Sequence, residues 1–250
     1  MRRALLAFVL GCLFTAAPAH TQHYPGVALR WNHCFGEGTG LFNRTFACDT
    51  NVGFEELIGS FAIGEDMLNV SGNEIVIDVF TGATLPIPPT SGPLPEWWMF
   101  RNPGTCRQAA LGILFAADPG DVVCQDWGAG VQVGALGAYI IDFRGPGTAR
   151  IKAGVAVPPD AVQALHPGNE YYSFTLRIRH DKTVGTGACA GCRTQMFLAF
   201  IGIRVTTPTT ADDRFYAGPI NGTDSDYVSW GSSPVPVRAA SWGAVKLLYR

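Results

Sequence analysis

The pattern that most narrows what this chain can fold into is a two-residue alternation of apolar and polar side chains, repeated in short segments and cut by Pro and Gly. In 171–179, Tyr172, Phe174, Leu176 and Ile178 alternate with Ser173, Thr175, Arg177 and Arg179. Successive side chains of a strand point to opposite faces, so this segment reads as a strand with one buried face. Segment 193–205 is apolar on both faces through Met196, Phe197, Leu198, Phe200, Ile201 and Ile203, which predicts a central strand. The intervening DKTVGTGACAGC predicts the turn of a long hairpin. Further strands are expected at 27–32, 41–47, 57–63, 74–80, 97–101, 110–116, 130–143 and 149–157, separated by turn segments such as TSGPLP, NPG, DPGD, RGPG and HPGN. A helix of one or two turns is expected at 160–166, with Asp160 as its N-cap. Many short strands with so little helix predict an all-β fold: an antiparallel, jelly-roll-like sandwich of two sheets with at most one or two short helices. Composition agrees, because 30 glycines and only 15% charged residues do not suit a helical bundle. No fixed-period repeat argues for a propeller or solenoid.

The ends of the chain set its compartment. Residues 1–19 carry Arg2 and Arg3, an apolar run from Ala4 to Phe14, and the small-x-small site Ala17-Pro18-Ala19, the order of a secretory leader. The run is shorter than the roughly 20 residues that span a bilayer, and no other stretch reaches that length, so no transmembrane span is expected. Val9-Leu10-Gly11-Cys12 also matches a lipobox, which gives an alternative: a lipoprotein anchored through Cys12. Residues 20–231 form the expected β-sandwich domain, 232–240 a Ser/Pro/Ala-rich linker, and 241–250 a tail. In that tail Trp242, Lys246, Tyr249 and Arg250 make a short basic, aromatic segment. It reads either as a sorting or anchoring tag with its own receptor or as a final strand or helical turn of the fold. Loss of Arg2 and Arg3 with the leader takes the formal charge from −2 to −4, which argues against a nucleic-acid partner, since that demands a basic face.

Of seven cysteines one lies in the leader, leaving Cys34, Cys48, Cys106, Cys124, Cys189 and Cys192. An even number in an exported chain reads as disulfides. Sequence does not select a connectivity, and nearest-neighbour pairing gives the working assignment Cys34–Cys48, Cys106–Cys124 and Cys189–Cys192. The blocks CDTNVGFEELIGSF, EWWMFRNPGTCR, TVGTGACAGC, NGTDSDYVSW and SWGAVKLLYR are spread over most of the mature chain. In these blocks the sequence resembles a loosely defined set of uncharacterised secreted bacterial proteins with a short C-terminal tail of this type. The resemblance implies export from a bacterium and brings no activity with it. The ending is also distantly similar to the longer C-terminal sorting signals of bacterial surface proteins.

Chemistry-bearing motifs are few. Cys189-Ala190-Gly191-Cys192 is followed by Arg193, not His, which excludes c-type haem attachment; no second ligand pair supports zinc, and the glycine-rich setting favours a structural disulfide. There is no HExxH and no GxSxG, and the histidines (His33, His166 and His180, with His20 and His23 near the new N-terminus) read as surface or turn residues. Oxygen ligands for Ca²⁺ could come from Glu55-Glu56, Asp118 with Asp121, Asp212-Asp213, or best from Asp224 and Asp226 in NGTDSD, which lacks full EF-hand spacing. Trp97 and Trp98 would sit on opposite faces of a strand; their first reading is core packing or covering of a sheet face, and the alternative is that one is exposed, with Trp127 or Tyr139 nearby, to stack on a sugar or an apolar partner. Asn43-Arg44-Thr45, Asn69-Val70-Ser71 and Asn221-Gly222-Thr223 match the N-glycosylation sequon, incidentally if the source is bacterial. The reading is an exported, non-enzymatic structural or binding module at the cell surface or in the extracellular space. It needs no cofactor beyond the candidate Ca²⁺, and its expected partner is a glycan or a cell-surface protein. The alternative is a carbohydrate-binding module or secreted glycan-active enzyme.

Overall fold

Strands form where the alternation predicts them, with boundaries trimmed by turn residues. The computed structural model describes residues 24–82, 92–117 and 124–231; the leader with Cys12, the linker, and the tail with Trp242, Lys246, Tyr249 and Arg250 lie outside them. In chain order the strands are β1 (Gly26–Trp31), β2 (Asn43–Arg44), β3 (Phe54–Ala62), β4 (Met67–Val70), β5 (Gly72–Thr81), β6 (Leu111–Leu114) and β7 (Gln125–Asp126). They continue as β8 (Val133–Ile141), β9 (Thr148–Ala156), β10 (Gln163–Leu165), β11 (Tyr171–Arg179), β12 (Met196–Thr206), β13 (Arg214–Tyr216) and β14 (Tyr227–Trp230). Helical structure among the described residues is confined to three-residue 3₁₀ turns.

Two sheets make the body. The first runs β1-β3-β11-β6, with β7 beside the start of β11; the second runs β2-β14-β12-β5-β9-β8, with β13 sharing an edge of β12 with β14. Pairing is antiparallel except for the two-residue contacts β7–β11 and β2–β14. A small ribbon of β4 and β10 stands apart. Leu57, Phe61, Phe174 and Leu176 of the first sheet meet Ile75, Ile77, Leu198 and Phe200 of the second in one buried cluster. The rings of Phe174 and Phe200 lie 5.2 Å apart, edge to face, the arrangement their quadrupoles favour. The edge of β1 is covered by the segment leading to β14: Val27 N–H donates to the Gly218 carbonyl and Leu29 N–H to the Ser225 carbonyl, both at 2.7 Å. The fold is therefore the expected all-β sandwich, with β12 central as anticipated.

Four local expectations are corrected. Tyr172 does not share a face with Phe174, because a bulge between them turns Tyr171 inward and sends Tyr172 to the outer side against Ile58, Cys34 and Cys124. Segments β11 and β12 are not a hairpin: they lie in different sheets, and 180–195 crosses from one to the other. Residues 160–166 make a single turn, Pro159–Ala161, after which Val162 is extended and β10 pairs with β4; Asp160 lies inside the turn, whose N-cap is Pro158. Residues 97–101 are not a strand, since Glu96–Trp98 is a 3₁₀ turn.

Candidate functional site

At one end of the sandwich the CxxC and the Trp-Trp pair belong to one buried knot. The bridges are Cys34–Cys124, Cys48–Cys192 and Cys106–Cys189, so the nearest-neighbour assignment is wrong in every pair. Because 180–195 crosses between sheets, Cys189 and Cys192 are carried to loops distant in sequence instead of to each other. Arg107 lies at the centre, 2% exposed, with its guanidinium 3.5 Å over the Trp97 ring. It donates to the carbonyls of Asp181 (2.9 Å), Trp97 (2.6 Å) and Arg179. Burial lowers its pKa to about 9, against the opposing attraction of Asp181. Trp97 Nε1 donates to Thr183 Oγ1 and Trp230 Nε1 to the Cys192 carbonyl. Both Trp97 and Trp98 are fully buried, so neither ring is free for a ligand; Trp127 and Tyr139 are buried as well. The Tyr139 hydroxyl donates to the Trp98 carbonyl, and burial drives its pKa upward. This end of the molecule is a staple rather than a binding face.

The buried polar groups are likewise engaged in holding loops. His180 is buried, not a surface residue: Nδ1 contacts the Val52 carbonyl at 2.8 Å, Nε2 contacts Glu55 Oε1 at 3.1 Å, and Phe46 stacks on the ring at 3.7 Å. Glu55 also accepts from Arg44 Nε. With both nitrogens occupied and a face covered, His180 has no position from which to activate a substrate. Glu170, which the sequence did not single out, accepts from the Phe35 and Gly36 N–H groups and from Ser60 Oγ. Among the described residues, Cys34, Cys124 and Glu170 are the one group of three metal-ligand types that converge, and both sulfurs are bound to each other. Asp226 is buried and Asp224 exposed. Both act electrostatically on Arg30, whose pKa is lowered to about 10 by burial while Glu170 and the two aspartates oppose the shift. Arg30 in turn donates to the Leu29 and Ser225 carbonyls and lies 3.6 Å from the Phe42 ring centroid. The NGTDSD carboxylates thus have a resident cation of the chain itself. Asp118 and Asp121 lie outside the described residues.

Open hydrogen-bonding capacity gathers elsewhere. A surface cleft of about 290 Å³ lies between the turn into β4 and the loop after β12, lined by Asp66, Met67, Leu68, Asn69, Thr207, Pro208, Thr209, Asp212 and Arg214. Asp213 shapes the loop: its carboxylate accepts from Thr207 N–H at 2.8 Å and Arg204 Nη2 at 2.6 Å. The Thr207 hydrogen bond, reinforced by Arg204, holds its pKa below the usual carboxylate value. Arg214 is tied by Glu65 through Nε and donates to the Asp213 carbonyl, while Asp66 meets His166 Nδ1 at 2.9 Å. By contrast, the side chains of Asn69, Thr209 and Asp212 are exposed and are not hydrogen-bonded to another described residue. An amide, a hydroxyl and a carboxylate therefore line one recess open to solvent. The sequence had marked Asp212-Asp213 as paired carboxylates and Asn69 as a sequon; nothing local marked Asp66, which topology brings to the cleft from about 140 residues away. No family model, curated protein or solved structure matches the chain.

Proposed function

We propose that this chain is an exported, non-enzymatic binding module at the cell surface or in the extracellular space, and that the Asp66–Asp212 cleft takes a hydroxyl-rich ligand, a glycan. The observation that carries the reading is the set of exposed polar side chains Asn69, Thr209 and Asp212 around one cleft, on a scaffold whose buried histidine and Arg107 are already engaged. Sugar hydroxyls both donate and accept, which matches an amide, a hydroxyl and a carboxylate better than a charged ligand would. Asp66 and Asp212 line the recess while its one lining cation, Arg214, is paired with Glu65, a balance unfavourable to phosphate or sulfate. Three disulfides suit folding outside a reducing cytosol, in keeping with the leader. On this reading the tail is the address that keeps the module at the surface, and deletion of residues 241–250 shifts protein from envelope to medium.

The test is a glycan array probed with the purified protein, followed by calorimetry on the best hit. Asp212→Ala and Asn69→Ala should each weaken binding about tenfold, a loss near 1.4 kcal/mol, with thermal stability unchanged. No retained glycan, or wild-type affinity in both variants, would sink the proposal. The presence of two carboxylates on one cleft also keeps a glycan-active enzyme in view, because such enzymes place a carboxylate on each side of the scissile bond. Turnover of the bound glycan that disappears in Asp66→Asn and Asp212→Asn would select that second reading.

A further inference from the structure

The bridges Cys34–Cys124, Cys48–Cys192 and Cys106–Cys189 span 90, 144 and 83 residues, and none joins cysteines that follow one another along the chain. A chain oxidised as it enters an oxidising compartment offers the opposite set. Cys34 meets Cys48 first, Cys106 meets Cys124, and Cys189 lies three residues from Cys192. The entropic cost of closing a loop grows with its length, so in the unfolded chain Cys192 meets Cys189 far more readily than Cys48, 144 residues away. Two native bridges cannot close until Cys189 and Cys192 have both arrived, by which time four earlier cysteines have had partners within reach.

Because the neighbour set and the native set share no bridge, they necessarily alternate around one ring of six sulfurs: Cys34, Cys48, Cys192, Cys189, Cys106, Cys124 and back to Cys34. We propose that this protein is a substrate of a thiol–disulfide isomerase in the compartment where it folds, and that a single attack on Cys189–Cys192 converts the whole neighbour set into the native one. The enzyme's thiolate attacks the Cys192 sulfur, breaking Cys189–Cys192 and leaving a mixed disulfide with Cys192 and a thiolate on Cys189. That thiolate attacks Cys106 of the Cys106–Cys124 bridge, forming Cys106–Cys189 and releasing the Cys124 thiolate. Cys124 attacks Cys34 of Cys34–Cys48, forming Cys34–Cys124 and releasing Cys48. Cys48 attacks Cys192 in the mixed disulfide, forming Cys48–Cys192 and returning the enzyme's thiolate. Each step exchanges one S–S bond for another and one thiolate for another, so no electrons are gained or lost. The initial bridges come from a disulfide-donating oxidase of the same compartment. Two of the bridges so formed end on Cys189 and Cys192, three residues apart, which brings the start and finish of the relay to one loop.

The full chain, reduced and unfolded, is re-oxidised in glutathione buffer with and without a purified thiol–disulfide isomerase, quenched by alkylation at intervals, and mapped by peptide mass spectrometry. Neighbour bridges should dominate the early samples, and the isomerase should speed the appearance of the three native bridges tenfold or more. Native bridges forming first, at the same rate with or without enzyme, would overturn the proposal. As an independent readout, Cys48→Ser removes the thiol that releases the enzyme, so an isomerase lacking its resolving cysteine should accumulate with this variant as a mixed disulfide through Cys192. A Cys48→Ser chain that is never held in this way counts against it as firmly. Glycan binding by the finished protein is unaffected by either result.

Discussion

Arg107 shows how one side chain can organise an end of this molecule. Its guanidinium serves three carbonyls from two stretches of chain, 179–181 and Trp97, and covers the face of Trp97, so its removal leaves buried acceptors without a donor. Arg107→Met, close in volume, should lower stability by about 3 kcal/mol in urea unfolding, and Arg107→Lys should recover little, because an ammonium lacks the planar fork. Asp213 acts at the same scale with a dependence on pH. Its carboxyl is held below the usual 3.8, chiefly by Thr207 N–H. Such a group contributes stability that is complete above its unfolded-state pKa and lost as pH falls through the folded one. Wild type should therefore melt above Asp213→Asn at neutral pH, and the gap should close on acidification below about pH 4. Residue types were legible where their neighbours in sequence are their neighbours in space, as for Asp212 with Asp213. Trp97 and Trp98 allowed two readings because aromatic chemistry is the same on a free face and in a core; the packing of Trp230 and Arg107 selects the core.

At the scale of elements, alternation located the strands well because a pleated backbone leaves no other way to bury one set of side chains. It did not locate β-bulges or sheet membership. The bulge in β11 reverses the facing of Tyr172, and the step from β11 to β12 carries no local mark that it changes sheets. Residues 97–101 and 160–166 failed for a related reason, since in so short a segment the tertiary contacts of the 96–98 turn and of β10 outweigh propensity. A close approach between elements gives a sharp test. A Cβ on Gly59 of β3 would come within 2.2 Å of the Phe174 ring on β11. Gly59→Ala should therefore cost about 1–3 kcal/mol by overpacking, seen as a lower melting temperature. Pairing it with Phe174→Leu should return part of the loss.

For the whole molecule, the bridges constrain the unfolded chain more than neighbour pairs would, because entropy removed grows with loop length. Replacing Cys34 and Cys124 together by Ser should lower the denaturant midpoint by the equivalent of roughly 3–4 kcal/mol, because the two remaining bridges already shorten the loop that this one closes. Fold class and an oxidised state were legible in the sequence through strand pattern and cysteine parity. Connectivity was not, since it follows from which loops the two sheets bring together. The same connectivity has a consequence for endurance. The intervals 34–124, 48–192 and 106–189 overlap, so every peptide bond from Cys34 to Cys192 is enclosed by at least one covalent ring. A protease that nicks a loop in that stretch severs the backbone yet liberates no fragment: the cut molecule migrates as one band until a reductant parts it. A body wired in this way goes on presenting its surface in surroundings rich in hydrolytic enzymes, long after its backbone has ceased to be continuous.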